Sequence, residues 1–373
     1  MLKNREILIL SLAFFLIFFG YDASQQYLTT YLGSLGFSAI SLIYLTFAFA
    51  NLLAFIPVSR IGTKKMLLLS SIFYSLFILS VLLKNILTLV FAAFLGIMAS
   101  FLWVSQTMHL LKASSPSEFG KNSGVFATMK NIGSTSGLIF SSILLAFISL
   151  EKLFLFFSIF PILAVFTLLF LKNNFKEDVR AKDLRKIVIN GDIQRILVHN
   201  FVLAGFLFGF GISTLPLEIT EKIGKEFIGV LSTPLYLTPI LTSYVVGKLS
   251  DKLGRESFIY LAYALGIAGL LLLFYRFSFS FAMLSIILIS LAFSISFVLG
   301  MPIIGDIAKG VNISCITSIL WFSSCLGTSI YSFFFKNLKF ELICKILAIL
   351  LIASFFVILP VLRKGFKNIK IKY

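Results

Sequence analysis

The chain has 373 residues, of which 59% are hydrophobic and only 13% charged, with a mean hydropathy of +1.04. Soluble domains are nearer a quarter charged, and a water-soluble chain of this length has no interior for so many apolar runs of bilayer-spanning length; a polytopic membrane protein is indicated. The net charge of +17 calls for no nucleic-acid partner, because the lysines and arginines sit mostly in short loops and at the C-terminus, as positive-inside topology requires, and no nucleic-acid motif accompanies them.

Twelve apolar runs predict twelve transmembrane helices, at 6–31, 37–58, 66–84, 86–111, 121–148, 153–171, 196–218, 227–247, 257–275, 278–304, 310–335 and 341–362. They divide the chain into an N-terminal six-helix bundle over 1–171, a cytoplasmic linker over 172–195, and a C-terminal six-helix bundle with a basic cytoplasmic tail over 196–373. With both termini cytoplasmic, inner-side lysines and arginines outnumber outer-side ones by about three to one, which sets that topology for a multi-pass protein of the cell membrane. Met1 to Glu6 and the apolar run after it have the charge pattern of a signal peptide, but no small-x-small cleavage site follows; a retained first span is expected. The linker stretch Asp178 to Val188 reads either as an amphipathic surface helix or as a solvated tether. Cys315, Cys325 and Cys344 lie in or beside apolar runs with no metal-ligand spacing, so core packing is expected of them.

Polar groups within a span usually face a bundle interior or water. Asp22, Gln25, Gln26 and Thr29 recur at i, i+3, i+4 and i+7 and form one stripe on the first span. At about 1.5 Å per residue, Asp22 stands roughly 24 Å from the cytoplasmic end of its span and Lys130 roughly 14 Å into span 5. Trp103, Gln106 and His109 lie on span 4, and Asn131 adjoins Lys130. One reading gathers these eight residues, Thr29 aside, around a central cavity for substrate or coupling ion, with Lys130 extending to Asp22 or attracting an anionic solute. The other reading assigns Lys130 to interhelical pairing, Asp22 to a helix cap, His109 to a packed hydrogen bond and Trp103 to ordinary aromatic packing. In span 7, Gly211 and Pro216 interrupt the run, and Glu218 and Glu221 follow either as an outer gate or as loop residues. Asp306 and Lys309, at the turn after span 10, are expected to pair locally.

Two loops echo one another. Gly247-Lys248-Leu249-Ser250-Asp251-Lys252-Leu253-Gly254-Arg255-Glu256 joins spans 8 and 9, and a degraded copy, Phe55 to Lys64, joins spans 2 and 3. The pattern Gly247, Leu249, Asp251, Gly254 and Arg255 resembles the loop signature of the major facilitator superfamily, with Arg60, Gly62 and Lys64 surviving in the copy. Phe55, Ser59 and Thr63 depart from it, Ser59 standing where the aspartate is expected. The resemblance implies an all-α fold of two pseudo-symmetric six-helix bundles, with Arg60, Gly62, Lys64, Gly247, Asp251, Gly254 and Arg255 in gating loops. It further implies that Asp251 faces the start of the 310–335 span near Lys309. It also implies that the small residues of span 5 (Gly124, Gly133, Gly137) and span 11 (Ser323, Ser324, Gly327, Thr328) serve contact between bundles. Within the superfamily, Asp22 to Leu32, Ile61 to Lys65 and Leu102 to Leu110 resemble the "uncoordinated ninety-three" branch, whose animal members are channel regulators and receptor-trafficking partners.

No nucleotide-binding loop, zinc-protease motif or nucleophile elbow is present, so the chain is expected to be no enzyme and to need no cofactor or metal. The expected function is secondary active transport of a small organic solute by alternating access, with H+ as the coupling ion if coupling exists. The chain is expected to be monomeric in the lipid bilayer. The alternative is a non-transporting regulatory or trafficking partner of another membrane protein.

Overall fold

The computed structural model describes residues 2–178, 187–223, 228–308, 312–335 and 338–369, and every regular element among them is helical. A helix satisfies its backbone polar groups internally, which is what an apolar run needs in a bilayer. Large apolar side chains such as Phe49, Phe166 and Leu241 are exposed, as a lipid surrounding allows. The chain divides into two units, and neither boundary follows the linear sequence: unit 1 is Met1–Ser115, Val125–Val179 and Asn312–Ser318, and unit 2 is Pro116–Gly124, Arg180–Val311 and Ile319–Tyr373.

In unit 1, α1 (Leu2–Gln26) is followed by the short α2 (Leu28–Leu32), α3 (Ser34–Asn51), α4 (Phe55–Ile61), α5 (Thr63–Ser80), α6 (Ile86–Ala113), most of α7 (Phe119–Leu144) and α8 (Leu150–Leu169). The second span is thus broken, its two pieces meeting at 69°. In its packing α3 lies on α6, α5 on α6 and α8, and α1 on α8.

Unit 2 begins with α9 (Gly191–His199), capped by the Asn190 side chain accepting from the Asp192 and Ile193 N–H groups. Two π-helical turns, Asn200–Phe206 and Phe210–Thr214, lead to α10 (Leu215–Lys222). The second turn contains Gly211, so the expected interruption of span 7 is a winding change rather than an open break. Then come α11 (Ile228–Leu253), α12 (Arg255–Tyr275), α13 (Phe279–Ile307), α14 (Ile313–Phe334) and α15 (Phe340–Lys364). Here α11 lies on α13, α12 on α13 and α15, and α9 on α15. Counted by span, these are the four pairings of unit 1 repeated.

The two echoing loops adopt one geometry. Gly62 sits between α4 and α5 at φ 100°, and Gly254 between α11 and α12 at φ 87°. Only glycine takes that backbone without strain, so the reversal is written into both copies.

Among the described residues, eight helices are long and apolar enough to cross a membrane, and the bent α3–α4 pair makes a ninth. α7, the α9–α10 composite and α11 occupy the places of expected spans 5, 7 and 8. Of the linker stretch expected at Asp178 to Val188, residues 179–186 lie outside the described ones.

Candidate functional site

Close backbone packing positions the charged pair of unit 1. Gly133 and Gly137, one turn apart on α7, lie against the α1 backbone at Phe15 and Phe19, where an added Cβ would collide with the carbonyls. These two small residues therefore serve packing inside unit 1. Gly124 lies against the Ser243 backbone of α11 and Gly327 against that of Phe201, both within unit 2.

The approach of α7 to α1 brings Lys130 Nζ to 3.6 Å from Asp22 Oδ2, with the side chains 17% and 22% exposed. At an effective dielectric of about 20, opposite charges at this range attract by about 4 kcal/mol before desolvation is subtracted. Lys130 also stands over the Phe18 ring, 4.5 Å from its centroid, a cation–π contact that keeps the ammonium at this depth. One turn beyond Asp22, Gln25 donates to the Tyr44 hydroxyl of α3 at 3.2 Å. The Gln26 side chain lies outside the described ones.

On α7, Asn131 Nδ2, Thr128 Oγ1 and Thr135 Oγ1 are buried with no hydrogen-bond partner among the described residues. At i, i+3 and i+7 they share a helix face, and buried groups without partners are uncommon enough to ask for an explanation. The sequence reading picked out Asn131 but not the two threonines, whose period beside it was the available signal.

The span 4 residues are placed otherwise. Trp103 is buried between the rings of Phe14, Phe18 and Phe126, in an aromatic core rather than at an open surface. Gln106 is fully buried, its Oε1 accepting from Thr107 at 3.2 Å. His109 is also fully buried, with Nε2 3.0 Å from Glu6 Oε2 and Nδ1 2.9 Å from Thr63 Oγ1. Glu6 Oε1 accepts from the Lys172 N–H at 2.9 Å, and Thr63 Oγ1 from the Phe175 N–H at 3.2 Å. His109 thus belongs to a packed network tying α1, α5 and the chain after α8, and the structure does not bring it to Asp22 and Lys130. Glu6 and Thr63 went unnoticed in the sequence because each sits at a helix end, where a polar residue is ordinary.

The loops make specific contacts. In the first copy, Lys64 Nζ donates to the Leu169 carbonyl at 2.9 Å, and Asn174 Nδ2 to the Ile61 carbonyl at 3.1 Å; Arg60 is exposed. In the second, Asp251 accepts from the N–H groups of Gly120 (3.0 Å) and Lys121 (2.8 Å). This corrects the expected position: Asp251 engages the start of α7, not that of α14, and Lys309 lies outside the described residues. The carboxylate satisfies two N–H groups left open by the first turn and meets the positive end of the helix dipole. Gly247 allows this, its backbone lying directly against that of Gly120. Arg255, 2% exposed, joins Asp251 (2.7 Å) to Asp306 (3.2 Å), so Asp306 pairs across to α12 rather than within its own turn. At the other end of unit 2, Lys222 lies 2.7 Å from Glu218 and 2.9 Å from Glu341, which makes Glu218 a paired residue.

Cys315, Cys325 and Cys344 are buried and in no disulfide. Among the described residues, no group of three His, Cys, Asp or Glu side chains is placed to hold a metal ion.

The family model described as Major Facilitator Superfamily matches residues 10–331. The Arabidopsis thaliana protein "UNC93-like protein 3" is 36% identical over 108 residues, 29% of this chain and 23% of that protein; the match thus spans about a quarter of the curated relative's length. Among solved structures, the human organic anion transporter MFSD10 (TETRAN) aligns with a TM-score of 0.77 and 14% identity, over 95% of this chain and 99% of that one. The E. coli fucose:proton symporter FucP aligns with a TM-score of 0.77 and 14% identity, over 96% and 98%. At such identity the likeness is one of fold.

Proposed function

The chain belongs to the major facilitator superfamily, and from that premise we propose that it is a secondary transporter moving a small organic solute across the cell membrane by alternating access. The observation that carries this reading is the Asp22–Lys130 pair, held part-exposed within the membrane-spanning helices, on a helix that also carries three buried polar atoms without partners among the described residues. An ion pair and open hydrogen-bonding groups inside an apolar span are costly unless something binds there. In this proposal Lys130 contacts the solute and Asp22 governs it, while Asn131, with Thr128 and Thr135, offers hydrogen-bonding groups on a second face of α7. Protonation of Asp22 would free the ammonium, which gives a proton a way to change the site's charge as access alternates. Gln25 and Gln26 extend the site along α1 and Trp103 backs it through the Phe18 ring, whereas His109 serves the packed network with Glu6 and Thr63. Arg60, Gly62, Lys64, Gly247, Asp251, Gly254 and Arg255 set the loops at the cytoplasmic end. Both termini lie in the cytoplasm, and the working unit is a monomer in the bilayer.

The second reading, a regulatory or trafficking partner of another membrane protein, is favoured by the likeness to an UNC93-like protein. Double electron–electron resonance separates the two, using purified protein in nanodiscs with spin labels across the cytoplasmic and outer mouths. Distances are measured at low and neutral pH with and without a pooled metabolite library. Transport predicts reciprocal changes, one mouth closing as the other opens. A single distance distribution in every condition overturns it and leaves the partner reading.

A further inference from the structure

The carboxylate missing from the first loop is supplied from elsewhere in the chain. Ser59 occupies the place that Asp251 holds in the second copy, and its hydroxyl is turned back to the Ile56 carbonyl at 3.0 Å. Immediately beside it, the Glu177 N–H donates to the Ser59 carbonyl at 3.2 Å, fixing Glu177 over the α4–α5 turn. The strap that carries it is anchored: Phe175 packs on the cluster of Ala54, Val58, Met66, Val104 and Met108.

The Glu177 side chain, 6% exposed, is aimed at the first turn of α14, the part of that helix that belongs to unit 1. Oε1 accepts from the Ile313 N–H at 3.2 Å; Oε2 accepts from the Ser314 N–H at 3.0 Å and from the Ser314 hydroxyl at 2.6 Å. Lys112 Nζ lies 3.3 Å from Oε1, and Ile313 packs on the same apolar cluster as Phe175. Asp251 in unit 2 has the same set: one carboxylate across two successive N–H groups at the first turn of a long helix, with a basic side chain on one oxygen.

We propose that Glu177 is a positioning residue that replaces the aspartate lacking at Ser59 and holds the start of α14 closed at the cytoplasmic end. The chain has moved the charge from the loop to the strap after α8 and kept its target. The role in gating rests on the alternating-access reading; the latch itself is tested without reference to transport.

Cys315, adjacent to Ser314 and fully buried, is a built-in reporter. In full-length protein carrying Cys325→Ser and Cys344→Ser, reconstituted in nanodiscs, the rate of Cys315 modification by a membrane-impermeant maleimide is followed. Glu177→Gln is expected to raise that rate about tenfold, the usual scale of a lost helix cap converted to an equilibrium. Adding Ser59→Asp to Glu177→Gln is expected to return the rate to that of the parent, and Glu341→Gln, which removes a charge paired with Lys222, to leave it unchanged. A parental rate in Glu177→Gln, or a rate that Ser59→Asp fails to lower, overturns the proposal. If Glu177→Gln does not fold, Glu177→Asp is read instead, and a rate equal to the parent's with and without Ser59→Asp overturns it equally. Reporter rates that behave as expected in a protein that shows no mouth exchange would sink the transport reading and leave the latch standing.

Discussion

Lys130 would be an expense inside an apolar helix without Asp22 and the Phe18 ring, and it reaches both because two glycines on its own helix let α7 lie against α1. Lys130→Ala leaves Asp22 without its partner, and Asp22→Asn leaves the ammonium without its counter-charge. Each is expected to lower solute flux in proteoliposomes by an order of magnitude or more while leaving the folded yield largely intact; unchanged flux in both would remove the pair from the transport site. His109 makes the opposite case. It is fully buried, with Glu6 and Thr63 on its two ring nitrogens, and His109→Ala strands both, at about 1–3 kcal/mol for each buried group left unsatisfied. Thermal unfolding in detergent should show that loss. The pH profile of flux in His109→Asn should match that of the parent if Asp22 carries the proton, and a displaced profile would give that role to His109. These residues were legible to different degrees. A lysine and an aspartate in apolar runs announce themselves by cost, whereas the partners of His109 lie at helix ends, where polarity carries no signal. The position of Asp251 was misread for a geometric reason. The first copy's turn is the one whose neighbouring carboxylate, Glu177, reaches the start of α14, and in a repeated fold the equivalent contact of the second copy falls on the start of α7.

At the scale of elements, small residues decide which helices touch. Gly133→Leu drives a side chain into the α1 backbone at Phe15 and is expected to cost about 1–3 kcal/mol, as overpacking does. Gly300 on α13 has nothing within 4 Å of an added Cβ, so Gly300→Ala should be neutral or slightly stabilising through helix propensity. Unfolding midpoints of the two variants in detergent test the contrast, and equal losses would refute it. The same residues explain why α7 is less apolar than α6 and α8, its neighbours in the chain: Lys130 pairs there, glycines pack, and Asn131, threonines and serines add polar groups, all at the expense of hydropathy. At the last residue of α10, past the expected end of span 7 at 218, Lys222 is held above the usual lysine range by hydrogen bonds to Glu218 first and Glu341 second. A raised lysine pKa contributes stability that is complete below the ordinary value of about 10.4 and is lost as pH rises through the folded-state value. Glu341→Gln should therefore lower the melting temperature at neutral pH, and the difference from the parent should shrink in strongly alkaline buffer, as Lys222 loses its proton, and in acid, as Glu341 gains one.

Across the whole molecule, the four helix pairings of unit 1 recur in unit 2, and positive-φ glycines mark both loops. The sequence carried this repeat in its loop echo, but not the fact that one copy keeps its carboxylate in the loop while the other takes it from the strap. Asp251 caps α7 within unit 2 and Glu177 caps α14 within unit 1, and the two share no partner among the described residues. Residues without shared partners perturb an equilibrium additively, to within about 0.5 kcal/mol. If both latches must release for the cytoplasmic end to open, Asp251→Asn and Glu177→Gln each favour the opened population, and the double variant favours it by the product of the two factors. Asp251→Asn leaves Arg255 its second carboxylate, Asp306, so the buried guanidinium is not stranded and the loop should hold. Populations from spin-label distances across the cytoplasmic mouth, in the parent, both single variants and the double, form the cycle. A double variant that opens no further than either single one would mean that one latch alone governs opening, and the symmetry of the caps would then be architecture without a part in gating.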